Sequence, residues 1–321
     1  MGGAALGARL RERDLTAAPA VLNLVENRAP AVREEVAALL AAVSPAALGG
    51  EAGAHVVGVT GPPGAGKSTL LSALVAGWRD RGRTVAVLAV DPSSKRSGGA
   101  LLGDRVRIDS DSGDRGVFIR SMAAGERLGG LAPATRAAAR ALAAAFDVVV
   151  IETVGVGQSE TEVAEAADTV AVIVQPGSGD ALQFLKSGIM EIPDVLVVTK
   201  ADLGVVATRA ERDLRAALRS LGDHETAVVS VSSVPPTAGI GDLLAALEAH
   251  RAGLDLRAVR VRARRLGALA DFVAEHGAAG LRALGGRRPA ERFLAGQDPA
   301  ADEPSLVRAL EARTGEGGVS A

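Results

Sequence analysis

The chain contains no cysteine. That absence rules out disulfides, thiolate nucleophiles and every zinc or iron–sulfur site built on sulfur ligands. Aromatic residues are almost as scarce, with 5 Phe, 1 Trp and no Tyr in 321 residues. Neither sign of charge is in excess, since 36 Lys and Arg stand against 38 Asp and Glu for a formal net charge of −2. The basic footprint and stacking platforms of a nucleic acid binder are therefore lacking, and no nucleic acid partner is expected. No run of about 18 apolar residues occurs, and Arg9, Arg11, Glu12, Arg13 and Asp14 appear before any apolar stretch can form a secretory leader. Neither a membrane span nor export is expected, and the chain reads as cytoplasmic. His55, His224, His250 and His276 are scattered without a partner three to five residues away, which excludes a histidine metal motif. Lysine is confined to Lys67, Lys95, Lys186 and Lys200, the other basic residues being arginine. A chain so biased keeps lysine mainly where a compact ammonium or a slim stem is needed.

What is present is an ordinary globular composition, 48% apolar and 23% charged. An Ala-rich opening over 18–43 carries Val21, Leu22, Leu24, Val25 and then Val36, Leu39, Leu40, Val43 at helical spacing, with Pro30 between, which predicts a helical pair. From Val56 the period changes. Short β-branched runs at 56–60, 84–90, 148–151, 169–174, 195–199 and 227–231 alternate with amphipathic stretches such as Leu70, Leu71, Leu74, Val75, Trp78. Continuous apolar strands are buried on both faces, so the pattern predicts an α/β fold with a doubly wound, mainly parallel sheet. After residue 252 the sequence is helical and polar, with Arg257, Arg260, Arg262, Arg264 and Arg265 crowded together and turns at Gly285-Gly286 and Asp298-Pro299. The expected organisation is an N-terminal helical extension (1–49), a core domain (50–252) and a C-terminal helical extension (253–321) ending in a frayed tail. The arginine cluster reads as a solvated or salt-bridged helix face, or as a surface for an acidic partner.

The first strand runs into Gly61-Pro62-Pro63-Gly64-Ala65-Gly66-Lys67-Ser68-Thr69, which then opens a helix. In such a GxxxxGK[ST] loop the glycines let backbone N–H groups cradle phosphates, Lys67 reaches the β and γ phosphates and Ser68 is placed for Mg²⁺. The second strand ends at Asp91, in Asp91-Pro92-Ser93-Ser94, before a long polar loop through Asp104. Asp91 is a further metal candidate, directly or through water, and the loop a first switch. The strand at 148–151 ends in Glu152-Thr153-Val154-Gly155, the D-x-x-G switch layout with Glu for Asp, followed by Gln158. In this layout the Gly155 N–H meets the γ-phosphate and Glu152 organises metal-bound water. Gln158 is either the residue that orients the attacking water or a solvated loop glutamine. Thr199-Lys200-Ala201-Asp202 is close to the N-K-x-D element. A carboxylate at Asp202 accepts from guanine N1–H and N2–H₂ together, a donor pair adenine lacks, while the Lys200 stem packs along the base. Ser232-Ser233-Val234 follows the next strand, placed to contact the guanine oxygen. Lys186, after the strand at 169–174, is either part of a third mobile element or an exposed helix lysine.

With these motifs in hand, the chain resembles the MeaB/ArgK family of methylmalonyl-CoA mutase-associated GTPases. The strings that carry the resemblance are 61–69, Asp91-Pro-Ser-Ser, Ser97-Gly-Gly-Ala-Leu-Leu-Gly-Asp104, Glu152-Thr-Val-Gly-Val-Gly-Gln-Ser-Glu160, Gly188-Ile-Met-Glu191 and Lys200-Ala-Asp202, with Leu22-Asn-Leu-Val-Glu26 near the start. The resemblance implies a homodimeric GTPase using GTP, GDP and Mg²⁺ that chaperones an adenosylcobalamin-dependent acyl-CoA mutase, supports cofactor loading and protects the mutase. A nickel-delivery metallochaperone GTPase and a kinase linked to amino-acid transport are the alternatives; the first needs Cys or His ligands, the second an export signal. Two positions depart from the family pattern. Thr199 stands where Asn is usual and is too short to bridge both the phosphate loop and the purine, and Lys95 stands where Pro is common.

Overall fold

Before the first strand the chain forms helices α1 (Gly3–Arg11), α2 (Ala18–Glu26), α3 (Arg33–Ala42) and α4 (Pro45–Leu48). In the computed structural model the described residues are 2–27, 29–91, 113–123, 133–153, 159–177 and 193–317. The segment read from sequence as a helical pair matches α2 and α3. Helix α1 was not foreseen; it packs against α3 so closely that a Cβ at Gly3 or Gly7 would collide with Glu35 or Ala42.

The sheet has seven strands, all parallel, in the order β3-β2-β4-β1-β5-β6-β7. They are β1 (His55–Thr60), β2 (Val85–Asp91), β3 (Val117–Ala123), β4 (Val148–Thr153), β5 (Thr169–Val174), β6 (Val195–Val198) and β7 (Ala227–Ser230). β1, β4 and β5 are buried at every position, which is why they read as unbroken apolar runs rather than alternating ones. Side chains alternate between the two faces. Val57 and Val59 of β1 and Val148 and Val150 of β4 pack with Leu70, Leu71, Leu74, Trp78, Leu243 and Leu247, which belong to α5 (Lys67–Asp80) and, after α6 (Pro133–Ala143), α7 (Ser159–Ala166) and α8 (Val205–Ser220), to α9 (Ile240–Gly253). On the other face, a Cβ at Gly58 would strike Val163 of α7.

β3 escaped the sequence reading. It is an edge strand paired to β2 alone, its residues are mostly half-buried, and Arg120 and Ser121 interrupt the apolar run. Its approach is fixed instead by Asp114, which accepts two hydrogen bonds from Arg79 near the end of α5, at 2.7 and 2.8 Å.

The chain divides into two compact units, residues 54–135 with 146–254, which hold the sheet, and residues 1–53 with 136–145 and 255–321. The second contains α10 (Leu256–Ala283, broken at Gly277), α11 (Arg287–Ala295) and α12 (Glu303–Gly317). Of its arginine cluster, Arg257 and Arg262 are exposed, Arg260 and Arg265 half-buried and Arg264 buried. Arg264, 6% exposed, grips Glu51 with both terminal nitrogens at 2.9 and 2.7 Å, Arg260 donates to Ala52 O, and Arg265 to the carbonyls of Ala295 and Gln297. Arg136 ion-pairs with Asp271 and Arg140 with Glu303.

Histidines far apart in sequence meet at the amino-terminal edge of the sheet. His55 Nε2 and His250 Nδ1 lie 2.8 and 2.9 Å from Thr169 Oγ1, and His250 Nε2 lies 3.2 Å from Asp194. Among the described residues no helix is long and apolar enough to cross a membrane.

Candidate functional site

The opposite, carboxyl-terminal edge gathers the residues singled out by sequence. Ligands of open parallel sheets bind at this edge, where strand ends leave room and helix N-termini begin. β1 occupies the middle of the sheet, so the loop after it lies beside the ends of β4 and β5.

Residues 61–66 connect β1 to α5. Gly61 must be glycine: at φ +147°, a Cβ there would stand 2.6 Å from Ile173 O of β5. Gly66 adopts φ +89° immediately before the first turn of α5, so the left-handed step re-aims the chain from strand to helix. Ala65 is fully buried and Pro62 and Pro63 lie on the rim. Lys67 opens α5 with its side chain folded back over the loop; Nζ donates to Gly61 O at 2.7 Å and Pro62 O at 3.0 Å. Ser68 is half-buried and Thr69 exposed in the same helical turn.

β4 delivers Glu152, 5% exposed, in register with Val59 of β1 and Ala89 of β2. Strand parity puts it on the face of Val148 and Val150, the one that packs on α5. Next to it Thr153 Oγ1 donates to Thr60 Oγ1 at 2.9 Å, joining the ends of the two strands. Asp91 is the last residue of β2, in register with Ala123. The Ser68 hydroxyl and the Glu152 carboxylate are each a hard oxygen donor of the kind Mg²⁺ takes.

The Thr199-Lys200-Ala201-Asp202 element lies on the other side of the loop. Thr199, following β6, is 3% exposed, and its hydroxyl donates to Ala65 O at 2.7 Å. Threonine therefore does reach the phosphate loop. Lys200 adopts left-handed backbone, φ +53°, and its Nζ donates to Gly64 O at 3.2 Å. The turn is held by Ala201 N–H, which donates to Val231 O at 3.0 Å. Asp202 is exposed, with Oδ1 accepting from the buried Ser232 hydroxyl at 3.1 Å. Ser232 also closes the loop 233–237 by exchanging backbone hydrogen bonds with Ala238. Ser233 is half-buried and Val234 is exposed in that loop.

The structure thus brings Lys67, Ser68, Glu152, Thr199, Lys200, Asp202 and Ser232 to one edge of one sheet. Gly155, Gln158, Lys186 and Lys95 lie outside the described residues. Ser232 as the group that orients Asp202 is the addition structure makes; from sequence its triplet suggested only backbone contacts to the base.

The profile of a family described as "Methylmalonyl Co-A mutase-associated GTPase MeaB" matches residues 18–277. A Pyrococcus abyssi protein whose name gives it as a GTPase is 43% identical over 264 residues, 80% of this chain and 78% of that one. The mouse protein "Methylmalonic aciduria type A homolog, mitochondrial" is 43% identical over 168 residues, 51% of this chain and 40% of that protein's length. Among solved structures, one titled "Crystal structure of LAO/AO transport system kinase" superposes with a TM-score of 0.65 at 28% identity, covering 97% of this chain and 96% of that one.

Proposed function

Because the chain belongs to the MeaB family of methylmalonyl-CoA mutase-associated GTPases, a P-loop GTPase family, we propose that it is the GTP-driven chaperone of an adenosylcobalamin-dependent acyl-CoA mutase, supporting cofactor loading and protecting the mutase. The observation that carries this reading is the meeting of Lys67, Glu152 and Asp202 at one sheet edge, within a chain matched by that family over most of its length. Homodimerisation through the helical C-terminal region and a cytoplasmic setting belong to the same reading.

The chemistry then follows from the chain's own residues. Phosphoryl transfer to water is catalysed by positioning and by charge stabilisation rather than by covalent chemistry. Lys67 now donates to two carbonyls of its own loop; a triphosphate offers it anionic oxygens in exchange, a stronger, charge-assisted bond. The loop 61–69 holds the phosphates, with the Gly155 N–H on the γ-phosphate. Ser68, Glu152 and Asp91 are the residues that would hold Mg²⁺, which supplies neutralisation of the charge developing on the phosphate oxygens. Gln158 orients the attacking water, and Lys186 belongs to an element that responds to the γ-phosphate. At the other end Asp202 accepts from N1–H and N2–H₂ of guanine, Lys200 lies along the base, and Ser232, Ser233 and Val234 contact its oxygen edge.

Mutase activity tests the reading. Apo-mutase from the same genome is supplied with adenosylcobalamin and this chain, with GTP, with GDP or with the Lys67→Ala variant. The expected result is loading and preserved turnover that differ between GTP and GDP and disappear with Lys67→Ala. Identical mutase behaviour in all arms, or with the chain omitted, would overturn it. Transfer of label from ATP to an amino-acid transport protein would favour the kinase alternative instead.

A further inference from the structure

We infer that Thr199 is a positioning residue that latches the phosphate loop, and that this use of its single proton leaves the purine N7 unread by Thr199. The inference rests on the GTPase reading and deepens it, by naming which edges of the base this chain discriminates.

A threonine hydroxyl has one proton to donate. Thr199 Oγ1 lies 2.7 Å from Ala65 O and 3.3 Å from Val174 O, both backbone carbonyls that can only accept. The proton therefore goes to Ala65, with Val174 as the longer alternative, and in neither case is it available to the base. Purine N7 is likewise an acceptor, so the lone pairs left on the hydroxyl offer it nothing. The neighbouring backbone donors are engaged in the same way, Thr199 N–H with Val174 O at 3.1 Å and Ala201 N–H with Val231 O at 3.0 Å; Lys200 Nζ turns one of its three protons to Gly64 O at 3.2 Å.

Residues 199 and 200 thus each tie a side chain to the loop, at Ala65 and at Gly64. The latch is buried, so its loss leaves Ala65 O without that partner in a site shielded from water, where an unmade hydrogen bond is costly. Base recognition then falls on the donor edge of guanine, N1–H and N2–H₂, through Asp202 as oriented by Ser232. Such a site rejects nucleotides that lack the donor and tolerates changes at N7.

Calorimetry on the full chain with three nucleotides decides this: GTP, 7-deaza-GTP, in which N7 is replaced by C–H, and ITP, which lacks the 2-amino group. We expect 7-deaza-GTP to bind within about twofold of GTP and ITP about tenfold or more weaker, the scale of a lost hydrogen bond. Thr199→Asn, whose amide carries two protons, is expected to keep the latch and to acquire a preference of about tenfold for GTP over 7-deaza-GTP. Thr199→Val is expected to weaken both nucleotides by the same factor, and Thr199→Ser to restore them. A parent chain that binds 7-deaza-GTP about tenfold more weakly than GTP would overturn the inference, as would a folded Thr199→Val variant with unchanged affinity. If the parent binds no guanine nucleotide at all, the GTPase reading itself fails. The comparison of analogues on the parent chain does not depend on any variant folding.

Discussion

In the proposed site Lys67 and Asp202 stand at the phosphate and base ends, and each lends itself to a single substitution. Lys67→Ala removes the ammonium that lies over the loop with two bonds to its carbonyls. Hydrolysis by an unassisted GTPase of this mechanism runs near 10⁻⁴ to 10⁻³ per second, and single-turnover assays should find no hydrolysis above background for the variant. Asp202→Asn exchanges one accepting oxygen for a donor, which clashes with the guanine 2-amino group and suits the 2-carbonyl of xanthine. Binding of GTP should fall by about tenfold or more while XTP binding rises, as read by competition with labelled GTP; an unchanged preference for GTP would place the base elsewhere. Most of these residues are legible in the sequence because their chemistry needs a fixed spacing: six residues from Gly61 to Lys67, and an acid at the end of an apolar strand. The Ser232 to Asp202 bond is not legible, since 30 residues separate the two and only strand order makes β6 and β7 neighbours.

At the scale of elements, legibility follows burial. β1, β4 and β5 lie inside the sheet with helices on both faces, so the sequence must be apolar throughout and the strands stand out. β3 has neighbours on one side only, tolerates Arg120 and Ser121, and depends on a polar anchor instead. Arg79 holds the Asp114 carboxyl below its ordinary value, helped by the Gly116 N–H. A carboxylate with a depressed folded pKa stabilises the fold above its ordinary value near 3.8 and loses that contribution as pH falls through the folded value. The pair is about a quarter exposed, with side chains at 27% and 25%, so solvent screening limits its worth to about 1 kcal/mol. Asp114→Asn should therefore lower the melting temperature by about 2–4 °C at pH 7, with the gap from the parent closing in acid. A gap that persists in acid would mean that Asp114 acts through its backbone turn rather than its charge.

On the scale of the whole molecule, the arginine cluster is the solvated and salt-bridged face that its sequence suggests, with Arg257 and Arg262 exposed and Arg264 paired with Glu51, but the partners themselves lie far off in sequence. Residues 136–145, which interrupt the sheet-forming sequence, belong to the helical unit, because Arg136 and Arg140 pair there with Asp271 and Glu303. No local pattern announces partners more than 100 residues away. Burial, together with the nearby Arg136 and Arg264 charges, pulls Arg140 down to about 9, against the Asp271 and Glu51 carboxylates, which favour its charge. Removing one member of a buried ion pair costs about 3–5 kcal/mol, and Glu303→Ala should show a loss of that size in denaturant unfolding of the full chain. A loss under about 1 kcal/mol, the range of exposed pairs, would mean that water reaches the network.

Coupling between this site and a mutase is read from the GTP hydrolysis rate of the purified chain as adenosylcobalamin-dependent mutase from the same genome is titrated in. A partner can shift the nucleotide site only through contacts that differ between its GTP and GDP states, and such couplings are typically about 1–3 kcal/mol, or 5- to 150-fold. A saturable rise within that range is expected, abolished by Lys67→Ala. A rate that stays flat across the titration, with GTP binding intact and the mutase active, would contradict that coupling.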